Sequence, residues 1–166
     1  MHFVHLYRSV YPFGKSAYIL MLKTASYAVR VGCCVHVFHR SIYEVTETSG
    51  ESMMPTINYK DDYVHVNKFN KLGRRCQFGD IVVVAKPTDP SQRVCKRITG
   101  MPRDFVLIDP SDPHSHDMIQ VPDGHIWVTG DNLSHSIDSR TYGPLPMALI
   151  KGRVVAASLG FSVRKV

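Results

Sequence analysis

The first 43 residues contain no acid. Arg8, Lys15, Lys23, Arg30 and Arg40 lie there, and the first carboxylate is Glu44. The 166-residue chain has a formal net charge of +6, of which these five bases supply +5; the remaining 15 bases and 14 acids nearly cancel. The basic balance therefore belongs to one segment and not to a nucleic-acid-binding face, and no RNP-like or zinc-finger spacing occurs. Cysteine is also scarce: Cys33 and Cys34 are adjacent, and Cys76 and Cys95 stand alone. Without a C-x-x-C pair a zinc or dithiol site is not expected. Free or buried thiols remain, with a Cys76–Cys95 bridge open. Internal repeats and low-complexity tracts are absent, and after residue 44 no four-turn helical periodicity occurs. At 44% hydrophobic and 20% charged residues, the composition is globular, and the length suits one compact domain with an extension.

That extension is residues 1–43. Ser16–Phe38 reads SAYILMLKTASYAVRVGCCVHVF, long enough at about 1.5 Å per residue to cross a bilayer core of roughly 30 Å. Lys23 and Arg30 interrupt it, seven positions apart and so on one helical face. A central charge costs about 2.5–3.5 kcal/mol on insertion scales. A tilted or shielded span, a helix lying on the membrane surface, a removable transit peptide and a plain soluble helix all stay open. No clean apolar run ending in a small-x-small site precedes position 40, so a secretory signal peptide fits poorly.

From Glu44 onward, short β-type runs recur: Tyr63–Asn67, Asp80–Ala85, Arg93–Thr99, Asp104–Ile108, His125–Thr129 and Lys151–Ser158. Gly and Pro turns separate them, including Asp89-Pro90, Asp123-Gly124 and Gly143-Pro144. This spacing predicts an antiparallel all-β body over residues 44–166. Asp109–Asp117 reads as a polar surface loop; its His114 and His116 are metal-capable, but a solvated loop is the simpler reading.

Three places break the local rules. In Ser49–Thr56, SGESMMPT, Pro55 fixes its own φ and drives Met54 to an extended conformation. A constrained turn of this kind can present the Ser52 hydroxyl as a nucleophile, or merely cap the backbone. In Arg93–Thr99, period two puts Val94, Lys96 and Ile98 on one face. That aliphatic face should be buried, so Lys96 either loses its charge to desolvation and becomes a competent base, or snorkels to the sheet edge. Arg97 stays charged in either orientation and cannot act as base. In Gly130–Pro144 a long polar stretch follows the only tryptophan, Trp127. Asp138 and Arg140 can pair across a turn, and Ser134, Ser136 and Ser139 offer hydroxyls. No serine sits in a G-x-S-x-G elbow, so a serine/histidine triad lacks support.

Taken in order, these places resemble the signal peptidase I group of serine/lysine proteases. Ser52-Met53-Met54-Pro55-Thr56 matches its S-M-x-P-T segment. Lys96-Arg97 through Gly100 and Asp104 matches its lysine segment. Gly130 to Arg140 matches its closing G-D-N-x-x-x-S-x-D-S-R segment, and Gly79–Val83 supplies G-D-I-V-V. The body lacks the large inserted β-domain of bacterial members, so the organellar branch fits best. Asp138–Pro144 is similar to the first of the two catalytic-subunit types of the mitochondrial inner membrane branch.

The resemblance implies an all-β fold of coiled antiparallel sheets behind an N-terminal membrane-associated helix. It implies Ser52 as nucleophile, with Met53 beside it, and neutral Lys96 as general base. Ser136 would orient the lysine amine, and Asp138 with Arg140 would form a bracing ion pair. The Ser52 backbone N–H would serve the oxyanion, and no cofactor or metal is implied. Substrates would be protein precursors with cleavable sorting segments, bound in extended form beside sheet strands. The domain would face the intermembrane space from the inner membrane, paired with a homologous second catalytic subunit. There are two departures. Gly50 stands where many bacterial members place a hydroxyl that helps the oxyanion. Arg103 stands where glycine is common, with strain of about 1–3 kcal/mol if the turn needs positive φ. A self-cleaving repressor would need a helix-turn-helix that residues 1–43 lack. A non-catalytic structural or assembly subunit of a membrane protease complex is the remaining alternative.

Overall fold

The computed structural model describes residues 11–60, 62–110, 116–159 and 162–165. Arg8 and His114 therefore lie outside the described residues, while His116 is exposed. The chain divides into two compact units, residues 1–40 and 41–166.

The described residues of the first unit form a helix, α1 (Tyr11–Ser41), whose last residue already belongs to the second. Pro12 falls in its first turn, where a missing N–H costs nothing. Its last turn carries Arg40, a cation suited to the negative end of the helix dipole. Tyr18, Leu20, Met21, Val29, Val35 and Phe38 are all exposed. Ser16–Ser41 is long and apolar enough to cross a membrane by length and composition, although it contains Lys23 and Arg30.

The second unit is β-structure. Its strands are β1 (Tyr43–Glu47), β2 (Asp62–Asn67), β3 (Ile81–Lys86), β4 (Asp89–Gly100), β5 (Phe105–Leu107), β6 (Met118–Gln120), β7 (His125–Thr129), β8 (Leu145–Pro146), β9 (Ile150–Leu159) and β10 (Ser162–Lys165). Eight form one antiparallel sheet ordered β1-β2-β9-β3-β4-β7-β8, with β10 on β9; β5 and β6 form a separate hairpin. β3 is the hub. Its continuous Ile81-Val82-Val83-Val84-Ala85 run is buried throughout, because each face of the sheet is covered. Ile81 and Val83 join Met53, Ile57, Val64, Val66, Val154 and Ala157 on one side. Val82 and Val84 join Cys76, Ile98, Ile126, Val128, Leu145 and Ile150 on the other. A third cluster, Val106, Val121 and Trp127, supports the β5–β6 hairpin.

All six expected runs are strands, and one helical turn, α2 (Ser139–Tyr142), follows residue 44 with several 3-10 turns. The structure adds β1, β6, β8 and β10. It also extends β4 back through Asp89-Pro90, expected to be a break, because the β3–β4 hairpin absorbs Pro90 at a register shift between Ala85 and Lys86.

Candidate active site

The serine segment enters on Gly50, whose φ of 119° is a conformation L side chains rarely adopt. A single 3-10 turn, Glu51–Met53, follows, and Met54 is extended at φ −67°, ψ 145° before Pro55. The Met54–Pro55 bond is cis. Met53 is buried in the cluster around β3 and anchors the turn. The Ser52 carbonyl accepts from the Asn132 N–H at 3.0 Å, which ties the serine turn to the closing loop.

Lys96 lies on β4 opposite Val82 of β3, on the side of the sheet that holds Val82, Val84 and Ile98. It is 3% exposed. Among the described residues no carboxylate stands within ion-pair distance of its amine. Burial lowers its pKa; Asp138 and Cys95 oppose that shift, Arg140 adds to it, and the net direction is down. The period-two reading therefore places this side chain correctly, buried on the aliphatic face.

β7 pairs with β4 through Arg97–Thr129 and Ile98–Val128. Continuing that register by one residue sets Lys96 opposite Gly130. A Cβ on Gly130 would lie 2.4 Å from both the Ser136 Oγ and the Ser52 carbonyl oxygen. Gly130 is thus the point where the serine turn and Ser136 meet at the end of the β4–β7 ladder, and its missing side chain is what lets them.

The closing loop is tied to itself by hydrogen bonds. Asp138 is fully buried and accepts from the Gly130 N–H at 2.9 Å, the Arg140 N–H at 3.2 Å and Arg140 Nε at 2.9 Å. Arg140 Nη2 also donates to the Leu133 and Ser136 carbonyls. Burial raises the Asp138 pKa, but Arg140 first, then Ser136 and the backbone N–H groups, outweigh it and hold it below the ordinary value. Of the three candidate hydroxyls, Ser134 donates to Asn132 Oδ1 and Ser139 accepts from the Val128 N–H. Ser136 leans toward Asp138 but makes no well-formed hydrogen bond, and its buried Oγ is otherwise unpartnered. It is the hydroxyl left available to an incoming amine.

A second set of residues, whose mutual contact the sequence does not show, locks these parts together. Arg97 grips Asp131 with Nε and Nη2 at 2.8 and 2.7 Å. Thr56 donates to the same carboxylate. Arg97 follows Lys96, Asp131 follows Gly130, and Thr56 lies four residues after Ser52, so one carboxylate joins all three segments. All three belong to the motif segments, which was the sequence signal; that they meet was not legible there.

Beside Ser52 runs an open cleft lined by Glu47, Thr48, Gly50, Met53, Arg93 and Cys95, among others. Since β7 pairs with β4 only from Arg97 onward, Arg93–Cys95 has no strand on that side among the described residues. Gly50 brings no side chain to this cleft. Arg103 has φ 74°, so the turn does need positive φ, and its guanidinium pairs with exposed Asp123 at 2.9 Å. Cys76 and Cys95 are free thiols packed in different clusters. No group of three His, Cys, Asp or Glu side chains among the described residues could hold a metal.

Comparison with known proteins finds a family and relatives for this chain. The family model for signal peptidase, peptidase S26, matches residues 21–113 and 109–159. Mitochondrial inner membrane protease subunit 1 of Saccharomyces cerevisiae is 53% identical over 148 residues, covering 82% of this chain and 78% of that protein. Subunit 2 from the same yeast is 36% identical over 123 residues, covering 70% and 68%. A signal peptidase I of Enterococcus faecalis of known structure is 23% identical and covers 48% of this chain and 96% of its own, with a TM-score of 0.41.

Proposed function

The chain belongs to the signal peptidase S26 family, and from that premise we propose that it is a membrane-bound serine endopeptidase using a Ser52–Lys96 dyad. The observation that carries the reading is Lys96: a lysine 3% exposed, with no ion-pair partner among the described residues, next on its strand to the β4–β7 ladder that leads into the glycine packed on the Ser52 carbonyl. Burial lowers the pKa of an amine and so brings its neutral form within easier reach, and a neutral amine is a base.

Ser52 Oγ attacks the scissile carbonyl carbon while the Lys96 amine takes the hydroxyl proton. Negative charge develops on the carbonyl oxygen, and the Ser52 N–H donates to it, an interaction worth about 2.7–4 kcal/mol per donor. As the C–N bond breaks, Lys96 returns its proton to the departing amine. The same base then activates a water, which hydrolyses the acyl-enzyme. Ser136 aims the lysine amine; Asp138 and Arg140 hold the loop that carries Ser136. The substrate is a protein precursor with a cleavable sorting segment, lying extended between β1 and Arg93–Cys95. The domain faces the intermembrane space at the mitochondrial inner membrane, with a homologous second catalytic subunit as partner; two subunit types stand among the relatives.

The test is cleavage of a membrane-embedded precursor by the purified chain in detergent, alone and with the second subunit. Wild type cuts at one site, and Ser52→Ala and Lys96→Met are folded but silent. Cleavage surviving either substitution refutes the dyad. A silent wild type, with and without the second subunit, favours the non-catalytic assembly role.

A further inference from the structure

Lys68–Phe78 carries four bases and no acid. Its first half, Lys68–Gly73, is two short 3-10 turns joined at a kink where Lys71 and Leu72 leave helical geometry. Asn70, Gly73 and Cys76 turn inward and are buried. Phe69, Leu72 and Phe78 turn outward and are 62%, 54% and 68% exposed, with Arg75 exposed between the last two. The inward residues hold this display firmly. Asn70 Nδ2 donates to the Arg74 carbonyl at 2.9 Å, and Gly73 sits so close to Met147 that a Cβ would fall 2.3 Å from its Cε. Leu72 and Arg75 adopt φ of 60° and 55°, a region non-glycine residues avoid. Holding strained backbone to show apolar side chains to water gains nothing; holding it for a surface does.

The backbone says which surface. The Lys68 N–H donates to the Ile42 carbonyl at 2.9 Å, and Asn67 pairs with Tyr43 in the β1–β2 ladder. Ile42 directly follows Ser41, the last residue of α1. The basic, apolar segment thus begins one hydrogen bond from where the chain leaves its apolar helix. Lys71, Arg74 and Arg75 have no ion-pair partner among the described residues, so their charge is available to an anion.

We propose that Lys68–Phe78 is an interfacial lipid-binding segment: Phe69, Leu72 and Phe78 enter the headgroup boundary of an anionic bilayer, and Lys71, Arg74 and Arg75 bind lipid phosphates. The inference rests on reading α1 as the membrane anchor. It uses the amphipathic logic of surface-seated segments, apolar anchors flanked by bases. Each base near an anionic leaflet is worth roughly a five-fold gain in partition.

The test uses the full chain in vesicles containing brominated acyl chains, made of phosphatidylcholine alone or with added phosphatidylglycerol. Trp127, 3% exposed, is the only native tryptophan, so Phe78→Trp, with Phe69→Trp as a second reporter, reads the segment over a low background. Bromolipid quenching is expected in anionic vesicles, reduced several-fold in neutral ones and in a Lys71→Glu, Arg74→Glu, Arg75→Glu background. A chain that resists carbonate extraction yet shows no quenching at either reporter overturns the proposal. Quenching indifferent to lipid charge and to charge reversal also overturns it. So does a blue-shifted reporter without quenching, which assigns the surface to a protein partner. Carbonate extraction and precursor cleavage in detergent, run on the same samples, separate failure of the anchor or of the protease reading from failure of the segment.

Discussion

The Arg97 guanidinium and the Asp131 carboxylate form a two-pronged ion pair, 2.8 and 2.7 Å, between the residue after the buried lysine and the residue after its facing glycine. Thr56 donates to the same carboxylate. Arg97 therefore serves the site from the opposite side of the strand: it fixes the distance between β4 and the serine turn. Burial raises the Asp131 pKa, but Arg97 and Thr56 outweigh that and keep it ionised.

The clamp predicts graded losses. Arg97→Lys keeps the charge but not the paired planar geometry, and is expected to cut turnover about 10²-fold while the protein stays folded. Thr56→Ala removes one hydrogen bond and is expected to cost about 1 kcal/mol of stability. Thermal unfolding together with kcat and KM for precursor cleavage separates the two effects. Normal turnover in Arg97→Lys would show that the strand-to-turn distance is set elsewhere.

Asp138 and Arg140 form the second brace, and here burial is deeper. Removing one partner of a buried pair costs about 3–5 kcal/mol, so Arg140→Ala is expected to unfold at markedly lower temperature or denaturant. Since the folded-state pKa of Asp138 lies below its ordinary value, its stabilising contribution is full above about pH 4. It is lost as pH falls through the lowered folded value. Acid unfolding midpoints for wild type and Asp138→Asn check this: the variant is expected to be weaker near neutrality and less sensitive to acid.

Much of this was legible before any coordinates. Alternation along Arg93–Thr99 put Lys96 on the aliphatic face, because strand parity is fixed by the pleat. The turn residues bracketed six strands. Pro55 forced Met54 into extension. What stayed hidden has a common cause: polar side chains meeting across long sequence gaps leave no period to read. Thr56 reaches Asp131 over 75 positions and Arg97 reaches it over 34. The short strands β6 and β8, of three and two residues, are held by their partners and have no run of their own. Gly130 heads the G-D-N segment, but only the packing of Ser52 and Ser136 against its Cα shows why a side chain is forbidden.

That packing gives a sharp test. In Gly130→Ala the new methyl would sit 2.4 Å from a serine carbonyl and a serine hydroxyl, and the carbonyl is backbone, already held by Asn132. The serine turn must move by a fraction of an ångström or more. Displacements of that order in a catalytic constellation cost about 10²-fold in rate. The expected result is a folded enzyme with a collapsed kcat and little change in KM, measured by single-turnover cleavage. A parallel fall in KM and stability would mean that the turn merely supports the fold.

The lysine sets the pH dependence. Burial lowers the Lys96 pKa below the ordinary 10.5, so the neutral, reactive form gains population as pH rises through that lowered value. Activity is expected to climb on an acid limb that belongs to Lys96 and to level off once it is deprotonated. Lys96→Arg keeps its charge at every accessible pH and is expected to lose the limb along with about 10²–10⁴-fold of activity. Stability moves the same way. Between the lowered folded pKa and the unfolded value the unfolded chain binds the extra proton, so stability increases with pH across that window. Lys96→Met has no proton to lose and relieves the buried amine. It is expected to be inactive yet more stable than wild type at neutral pH, with a flatter dependence of unfolding free energy on pH. Denaturant titrations of both proteins at several pH values between neutrality and 10 give the answer. Parallel curves would mean that Lys96 reaches water freely and stays charged, which a general base for Ser52 cannot do.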